Sequence, residues 1–264
     1  MTPVITLTTD FGERDYYVGA VKGVLLSIHP DLAIVDITHA VPPGDVLAGA
    51  FVLRNAAAEF PPGSIHLAVV DPGVGTKRRT IAVSGRGSLW VGPDNGLLSF
   101  ALGDPAAVTR EIAPPPRGRR LSATFHGRDL FAPCAARLAA GYPFALVGPR
   151  ATGAEILSEA RPVIGCGRVA GQVIHVDGFG NAVTNIAGED LDALAGTGGA
   201  ARLRVLSGPR RLPVAATYGD VERGAPVALV GSCGLLELAV NGGNGAEFLQ
   251  LRRRDPVVVE REGP

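Results

Sequence analysis

The sequence predicts an α/β protein: an N-terminal, mostly parallel sheet flanked by helices, followed by a smaller antiparallel β-barrel-like C-terminal domain. Three observations lead there. Up to residue 70, β-rich apolar runs alternate with helix-like stretches, as a parallel sheet with crossover helices requires. After Arg79 the texture changes to short β-rich runs around glycine turns. Beyond residue 166, short β-rich stretches recur at the spacing of a small barrel or sandwich. Residues 1–150 are therefore assigned to the α/β domain, 151–166 to a linker and 167–264 to the β domain.

The elements follow in order. Residues 4–9 are a strand ending in the polar cluster Thr8, Thr9, Asp10, and residues 16–28 a helix stopped by Pro30. A second strand covers 33–37, and Asp45 caps a helix over 46–60. The third strand, 64–70, is apolar nearly throughout, as a strand covered on both faces should be. Residues 80–83 and 88–91 flank Gly85, Arg86 and Gly87, a hairpin, and 125–140 carry a final helix. In the C-terminal part, strands are expected over 168–176, 182–186, 201–205, 227–230 and 235–240.

Composition excludes several classes of partner. The 264 residues are 46% hydrophobic, enough for a substantial core, with 25 basic and 25 acidic side chains. A formally neutral chain gives no support to nucleic-acid or anionic-membrane binding, and Arg252, Arg253 and Arg254 read as a solvated strand end. No apolar run approaches the roughly 20 residues of a membrane helix, and no basic region precedes Val4, so no secretory signal is expected. Cys134, Cys166 and Cys233 are odd in number and widely spaced, which suits a reducing compartment. The expected location is the cytoplasm.

Ligands of parallel sheets bind beyond the carboxyl ends of the strands, and three strands here end in polar groups. These are Asp10 with Phe11 after the first, Asp36, Thr38 and His39 after the second, and Asp71 after the third. A lone aspartate there is a cap or turn former; three on one edge point to a pocket. The turn over 71–78 is glycine-rich, but neither GxxxxGK[ST] nor GxGxxG followed by a helix is present. A carboxylate at its head would also repel phosphate. Gly73 and Gly75 are read as permitting positive φ or close backbone approach to a ligand, and a turn between Asp71 and Arg78 could bring their side chains together. His126 precedes a helix and is a cap, a packing residue or a catalytic group. Asn95, in the turn Pro93-Asp94-Asn95-Gly96, is a turn former first and a ligand contact second. Two further clusters, one over 177–185 and one from Gly231 to Glu237, suit an amide or adenine edge, with Phe179 offering a stacking face.

Taken together, the chain resembles the S-adenosyl-L-methionine (SAM) hydroxide adenosyltransferases, or adenosine-forming SAM hydrolases, relatives of the bacterial fluorinases and chlorinases. The resemblance rests on Thr8-Thr9-Asp10-Phe11-Gly12 with Asp15 and Tyr17-Val18-Gly19, and on Val69 through Gly75 to Arg78-Arg79. It continues through Pro93-Asp94-Asn95-Gly96, Phe125-His126-Gly127-Arg128-Asp129, Asp177-Gly178-Phe179-Gly180-Asn181 and Leu236-Glu237-Leu238-Ala239-Val240-Asn241. It implies a homotrimer, the ligand lying between the N-terminal domain of one subunit and the C-terminal domain of its neighbour. It also implies a catalytic set of Asp71, Arg78 and His126, with Asp10 on the ribose hydroxyls and Asp177, Ser232 and Glu237 at the methionine end. Asn181 would meet adenine with Phe179 nearby, and Phe11, Asn95 and Phe125 complete the substrate-binding set. Cys233 sits where the halogenating relatives carry arginine, so the methionine carboxylate must be held differently.

The implied reaction is attack of water on ribose C5′, releasing adenosine and L-methionine without metal or cofactor, SAM itself being the substrate. Asp71 and His126 both remain candidates for the proton. The alternatives are halide transfer from the same substrate and a SAM- or adenosine-binding sensor without turnover. Against halide, a carboxylate about 4 Å from a bound anion costs about 4 kcal/mol at an effective dielectric near 20, which Arg78 offsets in part.

Overall fold

The computed structural model describes residues 3–114, 121–158, 161–165, 167–196 and 202–261. The chain divides into two compact units, Met1–Leu157 and Ser158–Pro264.

Unit 1 is built on six strands: β1 (Val4–Thr9), β2 (Ala33–Thr38), β3 (Ile65–Val69), β4 (Thr80–Gly85), β5 (Ser88–Pro93) and β6 (Val108–Glu111). Their order is β2-β1-β3-β5-β4-β6. The first four are parallel, whereas β4 runs antiparallel to β5 and to β6. The hairpin expected around Gly85 is thus present. Its central residues Arg86 and Gly87 have φ of 53° and 71°, the left-handed pair that a tight hairpin turn demands.

Helices α1 (Tyr17–Ile28) and α4 (Ala132–Ala139) cover one face of the sheet. Helices α2 (Val46–Ala57) and α3 (Ser99–Leu102) belong with the other. Ile65, Leu67 and Val69 of β3 face the α1/α4 side, while Ala68 and Val70 face α2, so β3, apolar but for the buried His66, has no solvent side. Asp45 caps α2 through Oδ1, which accepts the Ala48 N–H at 3.0 Å. That helix ends three residues before the expected position. Its last residues tighten into turns from Glu59 and Phe60 onto Ala56 and Ala57, because Pro61 disfavours helical backbone at Phe60. The expected helix over 125–140 begins instead as a π-helical turn, Gly127–Phe131, that runs into α4.

Since β1 lies between β2 and β3, the chain leaves β1 to one side and returns to the other. That leaves a crevice at the carboxyl ends of β1 and β3, where this class of sheet binds ligands.

His66 lies on β3 fully buried, with Nδ1 2.8 Å from Thr6 Oγ1 and its ring 4.3 Å from that of Trp90. Burial pushes its pKa down to about 4 from 6.5. Above pH 6.5 the ring is neutral in both folded and unfolded chains and contributes nothing to pH dependence. As pH falls through 6.5 only the unfolded chain takes the proton, so stability drops by about 3 kcal/mol on approaching pH 4. Urea unfolding at pH 7 and pH 4.5 is expected to give a smaller acid loss for His66→Gln than for the parent. Equal losses would remove His66 as the cause.

Residues 151–157, within the segment read as linker, are fastened to unit 1. Arg79 donates to the carbonyls of Thr152 and Gly153 at 2.9 and 2.7 Å, and Asp94 accepts the Glu155 N–H at 2.8 Å. The C-terminal end of that segment forms β7 (Val163–Gly165), paired antiparallel with residues 168–170. Residues 159–160 and Cys166 lie outside the described residues.

Unit 2 contains β7, β8 (Arg168–Val176), β9 (Ala182–Ala187), β10 (Leu203–Ser207), β11 (Arg210–Pro213), β12 (Pro226–Val230), β13 (Leu235–Val240) and β14 (Pro256–Arg261). The order β11-β10-β14-β8-β9-β13-β12 brings the two edges together. Val214 bridges Ala228 and the Ala215 N–H donates to the Ala228 carbonyl at 2.9 Å, nearly closing the barrel. Strands β8 and β13 have the expected bounds. The strand expected over 201–205 is β10, shifted to 203–207, with Ala201 outside the described residues. Strands β11 and β14 and helices α5 (Gly188–Ala195) and α6 (Gly245–Leu249) add to the elements expected from the sequence. Residues 252–254 precede β14 in a turn, with Arg254 at a φ of 75°.

Candidate active site

At the crevice between β1 and β3 the chain builds a connected polar cluster. Beyond β3, two successive turns reverse the backbone: the Val74 N–H donates to the Asp71 carbonyl, and Thr76 donates through N–H and Oγ1 to Gly73. Arg78 is thereby folded back onto Asp71. Its Nε donates to Asp71 Oδ1 at 2.7 Å and its Nη2 to Oδ2, a two-pronged ion pair with side chains only 10% and 5% exposed. The same Nη2 lies 2.9 Å from Nδ1 of His126. Asp71, Arg78 and His126 are therefore one connected unit.

That last contact decides the state of the histidine. A guanidinium can only donate, so Nδ1 must be an unprotonated acceptor, and a neutral ring then carries its proton on Nε2. Burial lowers the His126 pKa, and the Arg78 charge lowers it further. Nε2–H is left as a donor.

Gly75 has φ of 76°, and a Cβ there would lie 2.4 Å from the carbonyl oxygen of Ala123. The sequence reading of left-handed backbone and close approach holds for Gly75, but what approaches is the segment leading to His126. Gly73 is not in the left-handed region.

Around this unit lies a cavity of about 270 Å³ bordered by Asp10, Phe11, Gly44, Asp71, Phe125 and His126. Asp10 Oδ2 accepts the Gly44 N–H at 2.8 Å. Phe11 and Phe125 pack edge to face at 5.8 Å, and Tyr16 and Tyr17, stacked at 4.6 Å, extend the aromatic wall. Tyr16 and Gly44 were not singled out as site residues. Nothing local distinguishes them, because a tyrosine before a helix and a glycine in a Pro-Gly-Asp turn have ordinary structural uses.

Asn95 spends both ends of its amide on backbone: Nδ2 donates to the Val70 carbonyl at 2.9 Å and Oδ1 accepts the Leu97 N–H at 3.2 Å. It braces the strand end beside Asp71.

Unit 2 carries two clusters of its own. Asp177 Oδ1 accepts the N–H groups of Phe179 and Asn181 at 2.9 and 2.8 Å, and Oδ2 accepts Asn181 Nδ2 at 3.0 Å. This turn leaves the Phe179 ring 84% exposed, uncovered within its own unit. The second cluster joins surface to interior: the hydroxyl of the exposed Tyr218 donates to Oε1 of the buried Glu237. Burial raises the Glu237 pKa and Asp177 raises it further, against the lowering by the Tyr218 bond. Burial also pushes Tyr218 up to about 12, with Glu237 reinforcing the shift. Gly231 leaves room for that carboxylate, since a Cβ there would fall 2.2 Å from Glu237 Oε2. Ser232 is exposed in the turn between β12 and β13. Tyr218 is a further residue that the sequence did not reveal, lying 19 positions from its partner.

Comparison with known families covers both units. The family model for the SAM hydroxide adenosyltransferase N-terminal domain matches residues 5–148, and that for the C-terminal domain matches 171–258. The chain belongs to the SAM hydroxide adenosyltransferase family. It is 44% identical to an (R)-S-adenosyl-L-methionine hydrolase of Thermus thermophilus over 97% of this chain and 99% of that one. A protein of the same name from Salinispora arenicola is 42% identical over 98% of each. A Nocardia brasiliensis fluorinase is more distant, at 33% identity over 98% and 97%. Among solved structures, an uncharacterized conserved protein from Thermotoga maritima superposes with a TM-score of 0.91 at 38% identity, covering 98% of this chain and 100% of that one. In this SAM hydroxide adenosyltransferase family member, Asp10, Phe11, Asp71, Phe125 and His126 border one cavity with Arg78 behind them. Asp177 and Asn181 share one turn and Glu237 pairs with Tyr218.

Proposed function

We propose that this protein hydrolyses S-adenosyl-L-methionine to adenosine and L-methionine, with water attacking ribose C5′ in line with the departing sulfur. The C5′–S bond breaks with its electron pair going to sulfur, a C5′–O bond forms, and the water gives up one proton. The leaving group is a neutral thioether, so neither a general acid nor a cofactor is required. Catalysis reduces to holding and polarising one water.

The observation that carries the reading is the bond from Arg78 to His126 Nδ1. With Nδ1 occupied and Nε2 protonated, His126 can only donate to the water. Asp71 is then the acceptor of its proton, with Arg78 keeping the carboxylate ionised. A weak base suffices because the proton leaves as the C–O bond forms and the water becomes acidic. The same arrangement favours water over halide. The Asp71–Arg78 pair cancels most of the net charge, but water offers a hydrogen to the Asp71 lone pairs and a halide has none to offer.

Two further elements belong to the proposal. Asp10 holds the ribose hydroxyls, and Asp177, Asn181, Ser232 and Glu237 take the methionine and adenine ends. The working form is a cytoplasmic homotrimer whose sites join unit 1 of one subunit to unit 2 of the next. Among the described residues no helix is long and apolar enough to cross a membrane. Light scattering is expected to give three times the 27.1 kDa chain mass.

The decisive experiment is mass spectrometry of products formed in ¹⁸O-water, with and without chloride or fluoride. One ¹⁸O atom in adenosine is expected in every case, and a 5′-halo-5′-deoxyadenosine as main product would overturn the reading. In the same assay the acid limb should lie below pH 6.5, because His126 must stay neutral and its pKa is lowered.

A further inference from the structure

The ends of β1 and β2 carry polar residues that the proposed chemistry does not use. Thr9 and His39 are nearly inaccessible, at 2% and 5% exposure, yet their side chains meet at 2.8 Å between Oγ1 and Nδ1. On its other side the His39 ring places Nε2 3.2 Å from Asp36 Oδ1, within ion-pair distance though not aligned as a linear hydrogen bond. Asp36 in turn receives Lys22 Nζ at 2.5 Å on Oδ2. A nitrogen facing a carboxylate carries its proton, so in the neutral ring Nδ1 is the acceptor and the Thr9 hydroxyl donates to it. The Thr9 oxygen is then oriented to accept the Phe11 N–H, at 3.3 Å. The His39 backbone joins in, its carbonyl accepting the Gly12 N–H at 2.8 Å. His39 thus grips the loop carrying Asp10 at Thr9, at Phe11 through the Thr9 hydroxyl, and at Gly12.

We infer that His39, oriented by Asp36, is a positioning residue that sets the direction of the Asp10 carboxylate toward the ribose hydroxyls. The inference rests on the SAM hydrolysis reading, since it needs Asp10 to hold the sugar. Asp10 Oδ2 is occupied by the Gly44 N–H, so the carboxylate has one oxygen committed to the scaffold and its direction depends on where the loop backbone stands. Thr9 is held by its strand and Phe11 by the Phe125 ring, and His39 adds the side-chain bond that fixes the Thr9 hydroxyl between them. The Lys22–Asp36 pair at the far end is partly exposed, with side chains 34% and 38% accessible, so the chain of bonds is anchored from α1 and β2.

The test is calorimetric binding of adenosine and of 2′,3′-dideoxyadenosine to the full chain, with steady-state kinetics on SAM. His39→Ala should weaken adenosine roughly tenfold, the size of one lost hydrogen-bonded orientation, and raise KM by a similar factor. The dideoxy analogue and kcat should change less than about threefold on the same grounds. His39→Asn should restore adenosine binding, because its Oδ1 can accept the Thr9 hydroxyl near where Nδ1 stood. Should His39→Ala fail to fold, Asp36→Ala at the partly exposed end gives the same selective loss, at roughly threefold. Equal weakening of both nucleosides, unchanged adenosine binding, or no rescue by asparagine would overturn the inference. If the parent itself neither releases methionine nor prefers adenosine over its dideoxy analogue, the hydrolysis reading fails and takes this inference with it.

Discussion

Asp71→Asn is expected to cut methionine release from SAM by roughly 10³-fold, the usual weight of a positioned proton acceptor. Adenosine binding should stay within a few fold, because the amide keeps the shape of the carboxylate and the proposed ribose contact lies on Asp10. The substitution also strands Arg78. Its side chain is only 10% exposed and its principal partner would be gone, so stability should fall by about 3 kcal/mol or more. Activity and stability separate in the double variant Asp71→Asn with Arg78→Gln, which removes both charges. It should recover much of the melting temperature and none of the turnover. Methionine release within threefold of the parent in the single variant would remove Asp71 from the path of the proton.

The second large effect is expected from a residue with no functional group. Gly75→Ala places a methyl 2.4 Å from the Ala123 carbonyl oxygen on a backbone at φ of 76°. The left-handed backbone alone costs an alanine about 1 kcal/mol. Relieving the overlap requires the turn or the Ala123 segment to move by several tenths of an ångström. Ala123 lies three residues before His126, so the movement reaches the 2.9 Å contact between His126 and Arg78. A drop in kcat of about 100-fold is expected, with a stability loss of about 2 kcal/mol. Gly73→Ala should be milder, because its new methyl would meet side chains alone and none closer than 3.3 Å, at Arg78. A Gly75→Ala enzyme with parental kcat would show that this close approach does not hold the site together.

These two predictions differ in how far the sequence leads to them. Asp71 stands out because a carboxylate ends an apolar strand beside two others that do the same. Gly75 stands out only as a turn glycine, and what it makes room for, the Ala123 carbonyl, lies 48 positions further along the chain. Tyr218 was invisible for the same reason: its bond to Glu237 joins a short surface turn to a barrel strand, and neither has a local signal of the other. Asn95 was legible in its turn role. Its motif suggests a turn former first, and the bonds to the Val70 carbonyl and the Leu97 N–H give it that role, with one N–H and one lone pair left over.

What the sequence determined by itself was local. Period and turn chemistry placed β1, β3 and the β4–β5 hairpin, Asp45 named its own helix cap, and strands β8 and β13 could be bounded to the residue. These features depend on neighbours a few positions apart, where steric and hydrogen-bonding preferences act without the rest of the fold. Only the tertiary structure decided that β1 lies between β2 and β3, so that Asp10 and Asp71 open onto one crevice. It alone gave Arg78 Nη2 a second acceptor in His126, and with it the protonation of the ring. Hydrogen-bond direction is a property of which donors face which acceptors, and no residue carries that information until the chain has brought its partner within 3 Å.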